Sequence, residues 1–174
     1  MCDIGPSIGE VLSRLAEQPK EIAGLTAGLP GARLRRSSGR DEWSVNDVLA
    51  HLRSCSDMWG LYMATIVRDD HPTIHAMNPR TWIKRTNYPD LEFAPSFRAF
   101  RRQRAELLSL LRPLPKSAWS RTALVTGAGR PRERTVLEYA RRLANHEGAH
   151  VKQIDGLVHG SGRRTATGAR ALMR

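Results

Sequence analysis

The sequence has few of the residues that mark secreted, disulfide-linked or membrane-spanning proteins. Only two of its 174 residues are cysteines, Cys2 and Cys55, which is too few for a disulfide framework. No apolar run approaches the roughly 20 residues that span a bilayer. The first ten residues lack both the basic and the apolar region of a secretion signal. We therefore expect a soluble, cytoplasmic protein with reduced thiols and no membrane partner.

Lysine is also scarce, because the chain has 4 lysines against 24 arginines and 17 acidic residues, which gives a net charge of +11. Guanidinium groups pair well with phosphates and carboxylates, so nucleic acid is a conceivable partner. The arginines are nevertheless spread along the chain without a nucleic-acid-binding motif, and a solvated basic exterior is the favoured interpretation. Residues 161–174 hold four arginines and no acidic residue, which predicts a flexible basic tail.

Alternation of apolar and polar residues with a period of two is missing too, whereas apolar spacings of three and four recur in four segments. These spacings predict helices at about 7–28, 44–69, 95–112 and 135–159. Four amphipathic helices in one chain of this size predict an all-α fold, a four-helix bundle, over residues 1–160. Three helix starts fit the capping-box spacing: Ser7 with Glu10, Ser44 with Asp47, and Thr135 with Glu138.

The connection between the second and third predicted helices, about 70–93, is longer than bundle loops usually are. It contains Trp82 and Tyr88 in addition to two histidines. Because it is too aromatic for a simple linker, we expect it to fold over one end of the bundle.

The most informative motif lies on the last predicted helix, where His146 and His150 stand four residues apart. That spacing puts both imidazoles on one face of a helix, as a divalent metal site requires. The string His-Glu-Gly-Ala-His matches the H-E-x-x-H pattern of zinc proteases. However, no glutamate follows His150, and Gln153 and Gly156 stand where the extended protease pattern needs glycine and histidine.

A protease helix is therefore excluded, and any further metal ligand must come from upstream in the chain. The candidates from the residues alone are His51, His71, His75, Cys55 and the carboxylates.

A set of short sequence motifs in a fixed order narrows the choice of upstream metal ligand. The motifs are Trp43-Ser44-Val45, then His51-Leu52, and finally His146 and His150 followed by Gln153-Ile154. With Arg104 on the third helix and Trp119 after it, this set resembles the DinB/YfiT-like family over roughly residues 7–158. The resemblance implies a four-helix bundle, often a homodimer, with three histidines that bind a divalent metal such as zinc or nickel. Carried over residue by residue, the implied ligands are His51, His146 and His150.

Known relatives in that family include S-transferases that use low-molecular-weight thiols and a thiol-dependent isomerase. The resemblance therefore implies a metal-dependent enzyme, with thiol S-transfer as one hypothesis and metal-dependent hydrolysis as another. The contrasting class is a non-enzymatic, metal-stabilised helical protein with a basic binding surface.

Several neighbouring residues keep more than one interpretation. Cys55, one turn after His51, is a fourth ligand, a reactive thiol or, more commonly for its type, a buried structural cysteine. Glu147 lies about 100 degrees around the helix from His146, so it is not expected to be a catalytic base. It could instead support the ligands, pair with an arginine or lie at a dimer surface. Asp47 could orient His51, although its capping-box position already explains it.

The remaining histidines are given no role in the site. His71 is followed by Pro72, which disfavours a continuing helix, so His71 and His75 are interpreted as loop residues near the mouth of a pocket. His159 is expected to be solvated.

Overall fold

The four predicted helices are confirmed in the computed structural model, which describes residues 5–37, 39 and 42–160. They are α1 (Ile8–Thr26), α3 (Val45–Arg68), α5 (Phe93–Leu111) and α6 (Val136–His159). Two short helices, α2 (Gly31–Leu34) and α4 (Pro79–Ile83), and 3-10 turns at Tyr88–Asp90 and Lys116–Ser120 lie in the connections. The predicted basic tail, 161–174, lies outside the described residues.

All three predicted capping boxes are present at the N-termini of their helices. At each one the hydroxyl of the capping residue accepts a hydrogen bond from the backbone three residues on, and the acidic side chain there accepts one from the capping residue's backbone. Two backbone donors that the helix cannot satisfy internally are thereby paired. The residues are Ser7 with Glu10, Ser44 with Asp47, and Thr135 with Glu138.

Each long helix packs against two others, since α1 and α3 both contact α5 and α6. Apolar side chains form two buried clusters, one towards each end of the bundle. The first contains Leu15, Met63, Leu111 and Leu143, and the second contains Ile22, Leu49, Phe100 and Ile154. Because α1 and α6 run from the first cluster to the second and α3 and α5 run back, α6 lies antiparallel to α3.

A polar layer separates these two clusters at mid-height of the bundle. Each long helix contributes to it at the point where its side chains pass from one cluster to the other. The members are Gln18 on α1, His51 and Ser56 on α3, Arg104 on α5, and His146, Glu147 and His150 on α6. Burial of polar groups costs free energy unless they find partners, so this layer is the part of the core that packing alone does not explain.

A small sheet, absent from the sequence prediction, covers the first-cluster end of the bundle. It consists of β1 (Thr73–His75), β2 (Thr122–Thr126) and β3 (Arg132–Thr135), with β1 parallel and β3 antiparallel to β2. Ile74 and Val125 join the first apolar cluster. Strands of three to five residues are too short to establish a period of two, which is why the pattern gave no signal.

The long connection between α3 and α5 was expected to fold over one end of the bundle, and its first part does so through β1, whose Ile74 joins the first apolar cluster. It starts at the first-cluster end with β1 and finishes beside the N-terminal turn of α3, where Asn46 donates to the backbone oxygens of Pro89 and Leu91. The connection therefore runs along the bundle. Its aromatic residues hold it there, because Tyr88 donates to Asp57 at 2.7 Å and Trp82 donates to the same carboxylate at 3.4 Å.

Candidate metal centre

Three imidazoles meet in the polar layer, where α3 and α6 lie side by side. His51 comes from α3, and His146 and His150 come from consecutive turns of α6. The ring centroids are 5.0 Å apart for His51 and His146, 4.9 Å for His51 and His150, and 4.5 Å for His146 and His150. The Nε2 atoms of His51 and His146 are 2.9 Å apart. The three histidines implied by the family resemblance thus share one place, while their role as ligands stays a prediction.

The hydrogen bonding of His150 leaves one ring nitrogen available. Its Nδ1 lies 2.7 Å from Oε1 of Gln153, and an amide oxygen can only accept, so Nδ1 donates. The lone pair therefore lies on Nε2, which is buried and has no hydrogen-bond partner within the described residues. An unpaired acceptor in a dry interior is unfavourable. A tautomer fixed by one ring nitrogen, with the other nitrogen free of hydrogen bonds, is the arrangement that metal-binding histidines adopt, and in this respect the site fits a metal.

The electrostatics of the cluster keep the imidazoles of His146 and His150 neutral. Burial, the largest cause, together with the electrostatic effects of His150, His51 and Arg142 lowers the pKa of His146 to about 3. Burial also lowers the pKa of His150, against a raising effect of the Gln153 hydrogen bond. Neutral imidazoles keep their lone pairs at neutral pH, which is the form that binds a divalent cation.

Aromatic rings form two walls of the cluster. Trp43, immediately before the cap of α3, has its ring centroid 5.1 Å from that of His51 and stacks on His150 at 6.1 Å. Trp59 contacts His146 edge-on at 5.1 Å. The guanidinium of Arg142 lies 5.2 Å from the Trp59 ring centroid, so a positive charge stands at the edge of this wall. The rings limit access of water to the imidazoles on these sides.

Cys55 is part of the same cluster. Its Sγ lies 3.6 Å from Nε2 of His51 and 3.5 Å from Nε2 of His146, and these three side chains have ligand atoms within 4.8 Å of one another. The thiol is fully buried. Burial, with the charge of Glu147, raises the pKa of Cys55 to about 12. Without a metal ion beside it, Cys55 is therefore a neutral thiol, which argues against the reactive-thiol interpretation.

Glu147 adopts one of the roles left open from the sequence, because it pairs with an arginine. Its carboxylate is fully buried and forms an ion pair with Arg104, which is 3% exposed. The Ser56 hydroxyl lies within 3.4 Å of the Glu147 carboxylate and 3.3 Å of the Arg104 guanidinium. Burial raises the pKa of Glu147, and the charge and hydrogen bond of Arg104 oppose that rise.

The burial of Arg104 was not predicted from the sequence, where the residue was named only as part of the family resemblance. The signal was present, because Arg104 continues the buried spacing of Phe100, Leu107 and Leu111. A charged residue on an inward stripe needs a buried partner. Here that partner is the residue next to His146, so the ion pair fixes the turn of α6 that carries the histidines.

Other candidates lie apart from the three histidines. His71 is exposed and pairs with Glu133 at 3.0 Å, and His159 is exposed and pairs with Asp155 at 2.8 Å. His75 is a strand residue of β1, not a loop residue, and its ring lies 3.5 Å from the Thr126 hydroxyl. Asp47 serves the capping box of α3, as its position in the sequence indicated.

These features define a four-helix bundle with a candidate metal centre between two of its helices. The model of the DinB superfamily matches residues 14–154, so the chain belongs to that superfamily. No curated protein matches the chain significantly.

One similar solved structure is YfiT from Bacillus subtilis, described as a probable metal-dependent hydrolase with an unusual four-helix bundle topology. It superposes with a TM-score of 0.76 over 90% of both chains at 15% sequence identity, which confirms the fold. Within the described part of this chain, no helix is both long enough and apolar enough to cross a membrane.

Proposed function

We propose that the protein is a metal-dependent enzyme in which His51, His146 and His150 hold one divalent ion, zinc or nickel. The observation that carries the proposal is the Nε2 of His150, which is buried and has no hydrogen-bond partner in the described residues, in a ring whose centroid lies 4.9 Å and 4.5 Å from those of His51 and His146. Imidazole donors suit both metals. A metal held there would supply a Lewis acid that lowers the pKa of a bound water or thiol.

The surrounding residues would position that chemistry. Gln153 holds His150 in one tautomer, and the buried pair of Arg104 and Glu147 fixes the backbone between the two histidines of α6. Trp43 shields the imidazoles from water on one side. Arg142 places a cation beside His146, where it would attract an anionic group of a small substrate.

Our first candidate reaction is S-transfer from a low-molecular-weight thiol. Small biological thiols such as glutathione carry carboxylates, which the Arg142 guanidinium would bind well. Our second candidate is hydrolysis, which is supported by the likeness of the fold to a structure described as a probable metal-dependent hydrolase.

We further propose that the active form is a homodimer, which sedimentation equilibrium would test.

The function is tested with protein loaded with zinc or nickel. S-transfer is followed as the loss of glutathione in the presence of an electrophile such as monochlorobimane, and hydrolysis as release of p-nitrophenol from p-nitrophenyl acetate. We expect metal-dependent turnover that is lost in His150→Gln and kept in His159→Gln, a matched change at an exposed position of the same helix. Stable metal binding without turnover, with strongly salt-dependent affinity for nucleic acid, would instead support a non-enzymatic binding protein.

A further inference from the structure

In the described residues, His51, Cys55 and His146 bring their possible ligand atoms within 4.8 Å of one another. Cys55 is the one member of this group that is not a histidine. It lies one helical turn after His51, so both side chains point from α3 towards α6. It is fully buried, and its only hydrogen-bond contacts recorded within the described residues are with those two imidazoles. A thiol has one S–H to donate, so a single hydrogen bond does not account for its position beside two ring nitrogens.

The distances themselves match a ligand set. Zinc–nitrogen bonds of about 2.0–2.1 Å and a zinc–sulfur bond of about 2.3 Å place tetrahedral nitrogen and sulfur ligands about 3.6 Å apart. The Sγ of Cys55 lies 3.5 Å and 3.6 Å from the two Nε2 atoms. By the same bond lengths two nitrogen ligands stand about 3.3 Å apart, against 2.9 Å for His51 and His146. Only the two imidazoles would have to separate slightly, while the sulfur is already at ligand distance.

A second and independent observation comes from α6. His150 is 4% exposed, and its Nε2 is buried without a hydrogen-bond partner in the described chain, in a ring that packs against both His51 and His146. The ligand atoms that lie within 4.8 Å of one another belong to His51, Cys55 and His146, and the unpaired nitrogen of His150, whose ring adjoins both imidazoles, is a second indication of a cation at this place.

We propose that Cys55 is a metal ligand whose thiolate joins His51, His146 and His150 in a centre with three nitrogen donors and one sulfur donor. This inference rests on the proposed metal centre. On binding, the S–H bond breaks, the proton passes to solvent and the sulfur lone pair forms the bond to the metal, with no change of oxidation state. A divalent cation deprotonates a coordinating thiol outright, even where burial otherwise keeps it neutral.

Two consequences follow for the proposed enzyme. A thiolate donor selects zinc, cobalt or nickel against magnesium and calcium, which prefer oxygen ligands. In addition, four protein ligands complete a tetrahedron, so a reacting group must enter as a fifth ligand or replace one of the four.

Cobalt substitution tests the proposal directly. Cobalt(II) is added to metal-free wild-type protein, to Cys55→Ser and to Cys2→Ser, which removes the other thiol of the chain. We expect an intense near-ultraviolet sulfur-to-cobalt charge-transfer band in the wild type and in Cys2→Ser, and its loss in Cys55→Ser. The zinc affinity of Cys55→Ser, measured by competition with a chelating dye, should fall by about 100-fold or more, since even supporting residues contribute 10–100-fold.

The outcomes separate this inference from the function on which it rests. Visible cobalt bands without the charge-transfer band in the wild type would overturn the role of Cys55 and leave the histidine centre standing. Failure of cobalt and zinc to bind the wild type would overturn both. X-ray absorption of the zinc-loaded wild type needs no folded variant: one sulfur scatterer at about 2.3 Å is expected, and a shell of light atoms alone would refute the proposal.

Discussion

Replacement of Arg104 by methionine should destabilise the protein strongly, because it leaves the Glu147 carboxylate buried without its cation. Glu147 is fully buried and Arg104 is 3% exposed, so no water compensates for the lost partner. Breaking a buried ion pair costs about 3–5 kcal/mol, a large share of the roughly 5–15 kcal/mol that stabilises a typical domain. Urea unfolding of the metal-free protein, followed by circular dichroism, measures the loss.

Two further variants separate the ion pair from simple packing. Arg102→Met changes an exposed position of the same helix and should alter the free energy of unfolding by less than about 0.5 kcal/mol. The double variant Arg104→Met/Glu147→Leu should recover at least half of the loss, because an apolar pair of similar size often replaces a buried ion pair without cost. A loss below about 1 kcal/mol in Arg104→Met, or a double variant less stable than the single one, would refute the reasoning.

Three other perturbations have defined expectations. The pKa of His146 is depressed in the folded protein, so the stability it contributes is complete above the unfolded pKa of about 6.5 and is lost as the pH falls towards its folded pKa of about 3. Metal-free protein should therefore lose about 2 kcal/mol at pH 5 through this group, and an unchanged unfolding free energy between pH 7.5 and 5 would contradict the burial argument. Gln153→Leu frees the tautomer of His150 and should weaken zinc binding about 10–100-fold, whereas the exposed Lys152→Ala should not, as titration calorimetry would show. Ser44→Ala removes the side-chain cap of α3 and should lower the free energy of urea unfolding by about 1 kcal/mol; no change would mean that the cap is not formed in solution.

The bundle could be predicted from the sequence because the features that determine it are local. Apolar spacings of three and four fix which face of each helix is buried, and the capping boxes fix where helices start. The sheet could not be predicted, since β1 pairs with β2 across about fifty intervening residues and neither strand is long enough to show an alternating pattern. Its stability depends on covering the end of a core that already exists.

The candidate site could be predicted from the sequence only in part, for a similar reason. The pair His146 and His150 is a local signal on one helix, but the position of His51 opposite them depends on the antiparallel packing of α3 and α6. The family resemblance supplied that third residue. The packing of Arg104 against Glu147 and of Cys55 against the imidazoles follows from tertiary structure, which spacing along one helix does not reveal.

Metal content per chain, measured by plasma mass spectrometry, tests the central claim most directly. The samples are the wild type, His51→Ala, His150→Ala and the exposed control His159→Ala, each incubated with zinc or nickel and then freed of unbound metal. The account predicts close to one ion per chain in the wild type and the control, and loss of that ion in the other two variants. Wild-type protein that retains no metal, or equal retention in all four, would contradict it.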